Sequence, residues 1–332
     1  MKALVYTGPR NLEIRDVADA LPREGEVVIR VESVGICGSD MHAYLGHDER
    51  RPAPLILGHE AAGTVVSGPQ KGRRVTVNPL VTCMRCEACR SGRENLCTSR
   101  QIISMPPREG AFAQFVCMPE RNLVTVPDTI PVSKAALAEP IACGWHAVKK
   151  GRQSLATDLA KSRVLIIGGG AIGVGAALAA MAQGAIEITV VEPNAPRREF
   201  LAARVHLNAV SAEDLKPDVL FDMVIDAVGY AATRADASRR ARPGGVIVHI
   251  GLGQAEGGLD IRRMTLQEIT FIGTYTYAMA DFNETAQAIF DGRLGTLDWV
   301  EERPLEDGAA AFASLLAGEV SAPKIILRPH HQ

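Results

Sequence analysis

Six residues constrain this chain more than any others: Gly168-Gly169-Gly170-Ala171-Ile172-Gly173, set between an apolar, β-branched run at 164–167 and a small, apolar, helical stretch at 171–183. In a G-x-G-x-x-G turn that joins a strand to a helix, Gly168 permits the tight turn and Gly170 lets a pyrophosphate approach the backbone. Gly173 lets the helix pack on the strand. The free N–H groups at the helix start then face an anion. Strand-like runs follow at 187–192, 223–227, 245–250 and 269–272, each ending in a turn. Such alternation predicts a doubly wound α/β domain whose parallel sheet is covered on both faces. Glu192 ends the second of these strands, about 20 residues after the turn, where a carboxylate accepts ribose hydroxyls. It would repel a 2′-phosphate, so NAD is expected over NADP. Arg197 and Arg198 lie close enough to reverse that choice, to cover the adenine or to sit in solvent.

The rest of the chain has a different texture. At 332 residues, it has room for about two domains of ordinary size. Residues 1–140 read as short strands between Gly and Pro turns, at 3–6, 26–34, 62–66 and 74–78. Six of the seven cysteines lie there. An odd number of cysteines, behind an N-terminus without a secretory h-region, argues against a disulfide scaffold and for reduced thiols that bind metal. Cys83, Cys86, Cys89 and Cys97 have the spacing of a tetrahedral four-thiolate site, which suits structural zinc. A redox thiol cluster and an iron–sulfur site are the alternatives.

Two further segments carry metal-ligand chemistry, GICGSDMHAY with Cys37, Ser39, Asp40 and His42, and GHE with His59 and Glu60. Singly, Cys37 reads as a small buried apolar group and His59 as a core histidine. Beside a four-thiolate site they suggest a second, open zinc, with Glu60 or Glu139 as the third protein ligand. Taken alone, Glu139 reads as a helix-start residue facing water. A formal charge of −2 gives no field that would draw the chain to nucleic acid or an anionic membrane, and no apolar run is long enough for a spanning helix. Together with the absence of a secretory h-region, this leads us to expect a cytoplasmic setting.

On these motifs the chain resembles the zinc-dependent medium-chain alcohol and polyol dehydrogenases of the sorbitol dehydrogenase type, over essentially its whole length. The resemblance implies a mainly β, GroES-like catalytic domain from 1–140 and 281–332, and a Rossmann domain at 141–280, with the active site in the cleft between them. It implies two zinc ions per chain and an NAD(P) cofactor, with Gly168, Gly170, Ile172, Gly173, Glu192 and Arg197 at the nucleotide. Lys324 corresponds to a basic residue near the pyrophosphate, or else is a surface lysine. Cys37 and His59 correspond to catalytic zinc ligands, Glu60 to a ligand that exchanges with water, and Glu139 to a ligand bound directly or through water. Ser39 and His42 correspond to a proton relay, and Asp40 to a residue that orients a ligand. The turns at 226–229 and 251–253 correspond to small residues beside the cofactor.

The implied substrate is a polyol, a sugar acid or a related secondary alcohol. Tyr44, Tyr277, Arg108 and Glu109 are candidates for the pocket wall. Ala43 and Thr276 depart from the tyrosine and arginine common in polyol members. The resemblance also implies a homodimer or homotetramer, with the strand near 269–275 as a candidate for pairing between subunits. Non-catalytic binding of dinucleotide and zinc, threonine-type dehydrogenation and a zinc-free quinone reductase are the competing readings. A helix is expected at 283–293, a last strand at 323–327, and a loose tail from 328.

Overall fold

The computed structural model describes residues 1–330. Two compact units divide the chain: Met1–Glu139 with Ala278–Asp291 and Val300 onward, and Pro140–Tyr277 with Gly292–Trp299. Among the described residues, no helix is long and apolar enough to cross a membrane.

In the first unit the strand Glu26–Gly35 is the spine. Val27, Ile29 and Val31 alternate into the core, as a half-buried strand requires. An irregularity between Val31 and Ser33 breaks the alternation, so that Ser33, Val34 and Gly35 are all buried. This strand pairs antiparallel with Glu60–Val65 in a register that sets Gly35 opposite Glu60. It also pairs with Phe115–Pro119 and with the distant strand Lys324–Arg328. Residues from both ends of the unit therefore meet at the C-terminal end of one strand.

The second unit is a six-stranded, all-parallel sheet. Numbered along the chain from Arg163–Ile167, its strands lie in the order 3-2-1-4-5-6, the doubly wound arrangement. Leu165, Ile167, Val191, Val224 and Ile247 fill part of its core. The helix Ala171–Ala182 buries only small and aliphatic residues. A Cβ at Gly144, on the helix Ala138–Arg152, would come within 2.4 Å of Ala176 N, so that helix and Ala171–Ala182 touch through backbone.

Three expectations shift. The helix expected at 283–293 is Met279–Phe290, because the Ala278 N–H donates to Asp281 Oδ2 (3.2 Å) and caps an earlier start. The last strand runs Lys324–Arg328. Arg328 is no part of a loose tail: its Nε donates to Glu32 O at 2.7 Å. Residues 331 and 332 lie outside the described residues.

The turns after the fourth and fifth parallel strands rest on each other. A Cβ at Gly229, where φ is +81°, would lie 2.1 Å from Gly251 O. One at Gly251 would lie 2.1 Å from Val228 C. Gly229→Ala thus combines a strained φ with a backbone clash and should cost more than about 2 kcal/mol. Denaturant melts should show a lower midpoint, and an unchanged midpoint would refute this packing.

Candidate active site

The four cysteines close on one another. Strand Leu80–Val81 leads into Cys83, and strand Gln101–Ile102, which follows Cys97, pairs with it antiparallel. The ligand sulfurs all lie within 4.8 Å of one another. Cys86 N–H donates to Cys83 Sγ (3.4 Å), and Cys83 N–H points at Cys97 Sγ (3.5 Å). Backbone N–H groups of Arg85 and Cys86 bring the Cys83 thiol down to about 6. Burial and the crowding thiols of Cys86 and Cys97 push Cys89 up to about 12. Four sulfurs so close cannot all ionise without a cation between them, and a tetrahedral zinc fits this donor set.

Cys37, His59 and Glu60 form a second group, again with ligand atoms within 4.8 Å of one another. Cys37 caps the short helix Gly38–Tyr44, while His59 and Glu60 lead into the strand Glu60–Val65. The Glu60 carboxylate occupies space that a side chain at Gly35 would take: a Cβ there would lie 2.0 Å from Oε2. Lys324, which is 3% exposed, donates from Nζ to Glu60 Oε1 and to Ile36 O, both at 2.7 Å. Its ammonium also lies 2.6 Å from Oε2. Burial alone would lower the Lys324 pKa, but the charges of Glu60, Cys37 and Glu139 outweigh it and raise it. The ammonium is therefore charged, and Glu139, buried at the start of its helix, contributes to that field.

His59 is held from its Nδ1 side. Asp40 Oδ1 lies at 3.5 Å and Ser104 Oγ at 3.3 Å. Asp40 is also built into the backbone, accepting from Cys37 N (3.0 Å) and Gly58 N (3.2 Å). Burial opposes a charge on His59, yet Asp40 and Cys37 raise its pKa well above normal. A pocket that pulls so strongly for positive charge suits a divalent cation. The sulfur, nitrogen and oxygen donors are those of a zinc site with an open position.

The glycine turn has the expected anatomy. A Cβ at Gly173 would meet Gly168 O at 1.8 Å, while one at Gly170 would meet nothing within 4 Å. The open side at Gly170, where the helix Ala171–Ala182 begins, fits a pyrophosphate. Glu192 accepts from Gly169 N and Asn194 N, both at 2.8 Å, one on each carboxylate oxygen. Each oxygen keeps a lone pair for a ribose hydroxyl. Arg198 Nη1 donates to the carbonyls of Glu192 and Pro193, both at 2.8 Å. Arg197 is half-buried on the helix Ala195–Phe200, which also carries Arg198, and Ile172 lies in the first turn of Ala171–Ala182.

Other expected residues fall elsewhere. Lys324 is no surface lysine; its ammonium is engaged with Glu60. Glu139 is buried instead of facing water, and it is not among the converging ligand atoms. Ser39 and His42 are half-buried on the helix Gly38–Tyr44, with His42 outside the ligand group. Arg108 pairs with Glu26 at 2.8 Å, and Glu109 accepts from Ile56 N at 2.7 Å, while both line a cavity with Pro54 and Cys117. Tyr44 packs on Phe312 with ring centroids 5.2 Å apart, and Tyr277 is buried. The glycines at 229 and 251 are needed for the two turns to touch. Sequence reasoning missed Gly35, Ser104 and Arg51. Of these only Gly35 left a signal, a glycine ending an alternating strand.

Arg51 is 3% exposed, pairs with Asp48 and donates from Nε to Ser104 O (3.1 Å). Burial opposes the Asp48 charge, but hydrogen bonding to Arg50 and the charges of Arg51 and Arg50 bring it down to about 2. A depressed carboxylate stabilises the fold fully above its unfolded value near 4 and loses that effect as pH falls through about 2. Asp48→Asn should therefore flatten the acid limb of a melting-temperature profile between about pH 4 and 2. An unaltered limb would contradict the pairing.

The chain is similar to known proteins over most of its length. Residues 23–128 match the alcohol dehydrogenase GroES-like domain family, and 171–291 the zinc-binding dehydrogenase family. The chain is 32% identical to L-galactonate-5-dehydrogenase of Escherichia coli (89% of this chain, 88% of that one). It is 33% identical to sorbitol dehydrogenase of Bacillus subtilis (84% and 83%). The structure of acetophenone reductase from Geotrichum candidum in complex with NAD superposes with a TM-score of 0.87 at 28% identity, covering 98% and 96%. The chain belongs to the zinc-dependent medium-chain alcohol and polyol dehydrogenases, NAD(P)-linked oxidoreductases that act on CH–OH groups.

Proposed function

We propose that this enzyme oxidises a secondary hydroxyl of a polyol or sugar acid, with NAD preferred, and reduces the corresponding ketone in reverse. The observation that carries this reading is the convergence of Cys37, His59 and Glu60 around one point, backed by the buried charge of Lys324. Cys37, His59 and Glu60 would hold the catalytic zinc, and Cys83, Cys86, Cys89 and Cys97 the structural one. Gly168, Gly170, Ile172, Gly173 and Glu192 would hold the dinucleotide, with Arg197 beside them. When bound, zinc supplies a Lewis acid and the nicotinamide a hydride acceptor.

The chain's own groups set the electrostatics. On metal binding, Cys37 as thiolate and Glu60 as carboxylate would supply two negative charges, which would match a divalent cation. The Lys324 ammonium offsets the Glu60 charge, which favours loss of a hydroxyl proton. Ser39 and His42, close behind Cys37 in the chain, would pass that proton outward. Glu139 tempers the Lys324 charge without ligating. The involvement of Arg198 with backbone carbonyls leaves Glu192 to select the unphosphorylated ribose, which supports NAD. Relatives that act on galactonate and sorbitol support the substrate class.

Two finer statements belong to this proposal. The outer edge of strand Thr270–Gly273, near exposed Leu252, Ile261 and Leu266, supports a dimer built by pairing of these edges. Four thiols that must stay reduced support a cytoplasmic setting. Light scattering on the purified protein tests the dimer.

Metal analysis should find about two zinc ions per chain. NADH formation at 340 nm should appear with a polyol or sugar acid in a broad panel, with kcat/KM higher for NAD than for NADP. Cys37→Ala should retain the fold and lose turnover. No turnover with any panel member, or an active Cys37→Ala protein, would overturn the reading. Lys324→Met should lower kcat at least about tenfold and move the rising limb of the pH–rate profile to higher pH, since a positive charge is lost. A limb shifted to lower pH, or not shifted, would contradict the role given to Lys324.

A further inference from the structure

We propose that Ser104 is a positioning residue for the catalytic metal, fixing the ring of His59 through its hydroxyl and tying that ring to the four-cysteine lobe. The inference rests on the reading that Cys37, His59 and Glu60 bind metal.

Two groups approach His59 Nδ1, and Ser104 Oγ is the nearer, at 3.3 Å against 3.5 Å for Asp40 Oδ1. Asp40 already accepts two backbone N–H groups, one on each oxygen. Ser104 is fully buried, so its hydroxyl has no solvent to turn to. A histidine that offers one ring nitrogen to a metal carries its proton on the other, and the acceptor of that proton fixes the ring plane. Ser104 Oγ is placed to be that acceptor, together with Asp40.

The backbone supports the same conclusion. Ser104 has φ +71°, in the left-handed region that a serine adopts at a cost and a glycine does not. The chain is held there from behind. Ser104 O accepts from Arg51 Nε (3.1 Å), and the buried Arg51 is in turn paired with Asp48. A glycine would relieve the strain and lose only one methylene and the hydroxyl, so the serine is best explained by what the hydroxyl contacts.

Ser104 also occupies a particular place along the chain. Strand Gln101–Ile102 pairs with Leu80–Val81, and these two strands frame the segment that holds Cys83, Cys86, Cys89 and Cys97. Met105 N–H donates back to Ile102 O at 3.2 Å, which closes the turn on which Ser104 sits. The structural metal lobe and the His59 ring are thus joined by a short piece of backbone and one hydroxyl. That link gives the lobe a role in the geometry of the other site.

The test uses the full-length, zinc-loaded protein and Ser104→Gly, with Ser104→Ala as a second variant that keeps the backbone strain. Zinc release to a chelator is followed with a chromogenic metal dye, and the absorption bands of protein carrying cobalt(II) in the open site are recorded. Expected in both variants are a faster phase of about tenfold or more for one zinc and altered cobalt bands. The second zinc should be unchanged, and the melting temperature of Ser104→Gly should be no lower than that of the parent. Unchanged release and unchanged bands would overturn the inference while leaving the metal reading intact. Acceleration of both zincs with a fall in melting temperature would show a purely structural serine and would also overturn it. A parent protein that holds zinc only in the cysteine lobe would sink the metal reading itself.

Discussion

A carboxylate and an ammonium, both removed from water, face each other where the strand Glu26–Gly35 ends. Neither Glu60 nor Lys324 could be buried as an ion alone, since desolvation would drive each to its neutral form. Together they are tolerable, and losing one partner of such a pair typically costs about 3–5 kcal/mol. The pair therefore acts as a condition on the fold. Lys324 reaches Glu60 only because the strand Lys324–Arg328 adds to the same sheet as Glu26–Gly35. The C-terminal segment is thereby part of the first unit, and the charge of the metal group depends on it.

Around this pair, the site is organised by what stands behind each ligand. Asp40 binds the backbone at Cys37 and at Gly58, on the two segments that carry the ligands, so one carboxylate sets their separation. Gly35 contributes by having no side chain, which leaves room for Glu60. Arg51 and Asp48 hold the loop at Ser104. None of these groups is a metal ligand, yet each removes a freedom that the ligands would otherwise have. The nucleotide turn follows the same logic in the second unit. There Gly168 and Gly173 close the turn, and Glu192 is aimed by the backbone of Gly169 and Asn194.

Much of this was legible in the chain. The glycine turn between a strand and a helix implied a parallel sheet because few other backbones need glycines at that spacing. The four cysteines and the GHE and GICGSD segments exposed the donor atoms because metal chemistry restricts residue type. Lys324 was noticed, but its contact with Glu60 was not: its sequence neighbours say nothing of a residue 264 positions away. Glu139 was one of two candidates for the third ligand; it lies outside the converging group and adds to the field at Lys324. Arg108 and Glu109 were expected at a pocket mouth and do line a cavity, but the sequence could not show that Glu26 and Ile56 N hold them there. Ser104 carried no signal at all, being one serine in a loop.

The sequence by itself determined the layered sheet of the second unit and the side chains that converge as candidate metal donors. Local spacing and residue type are enough for these, because a tight turn, a thiolate cluster and a strand-ending carboxylate each impose short-range demands. Only the tertiary structure decided which charges offset one another, which buried hydroxyl reaches His59, and which glycine makes way for Glu60. Those outcomes depend on distances between segments far apart in the chain, and in a low-dielectric interior such distances govern whether a charge can exist.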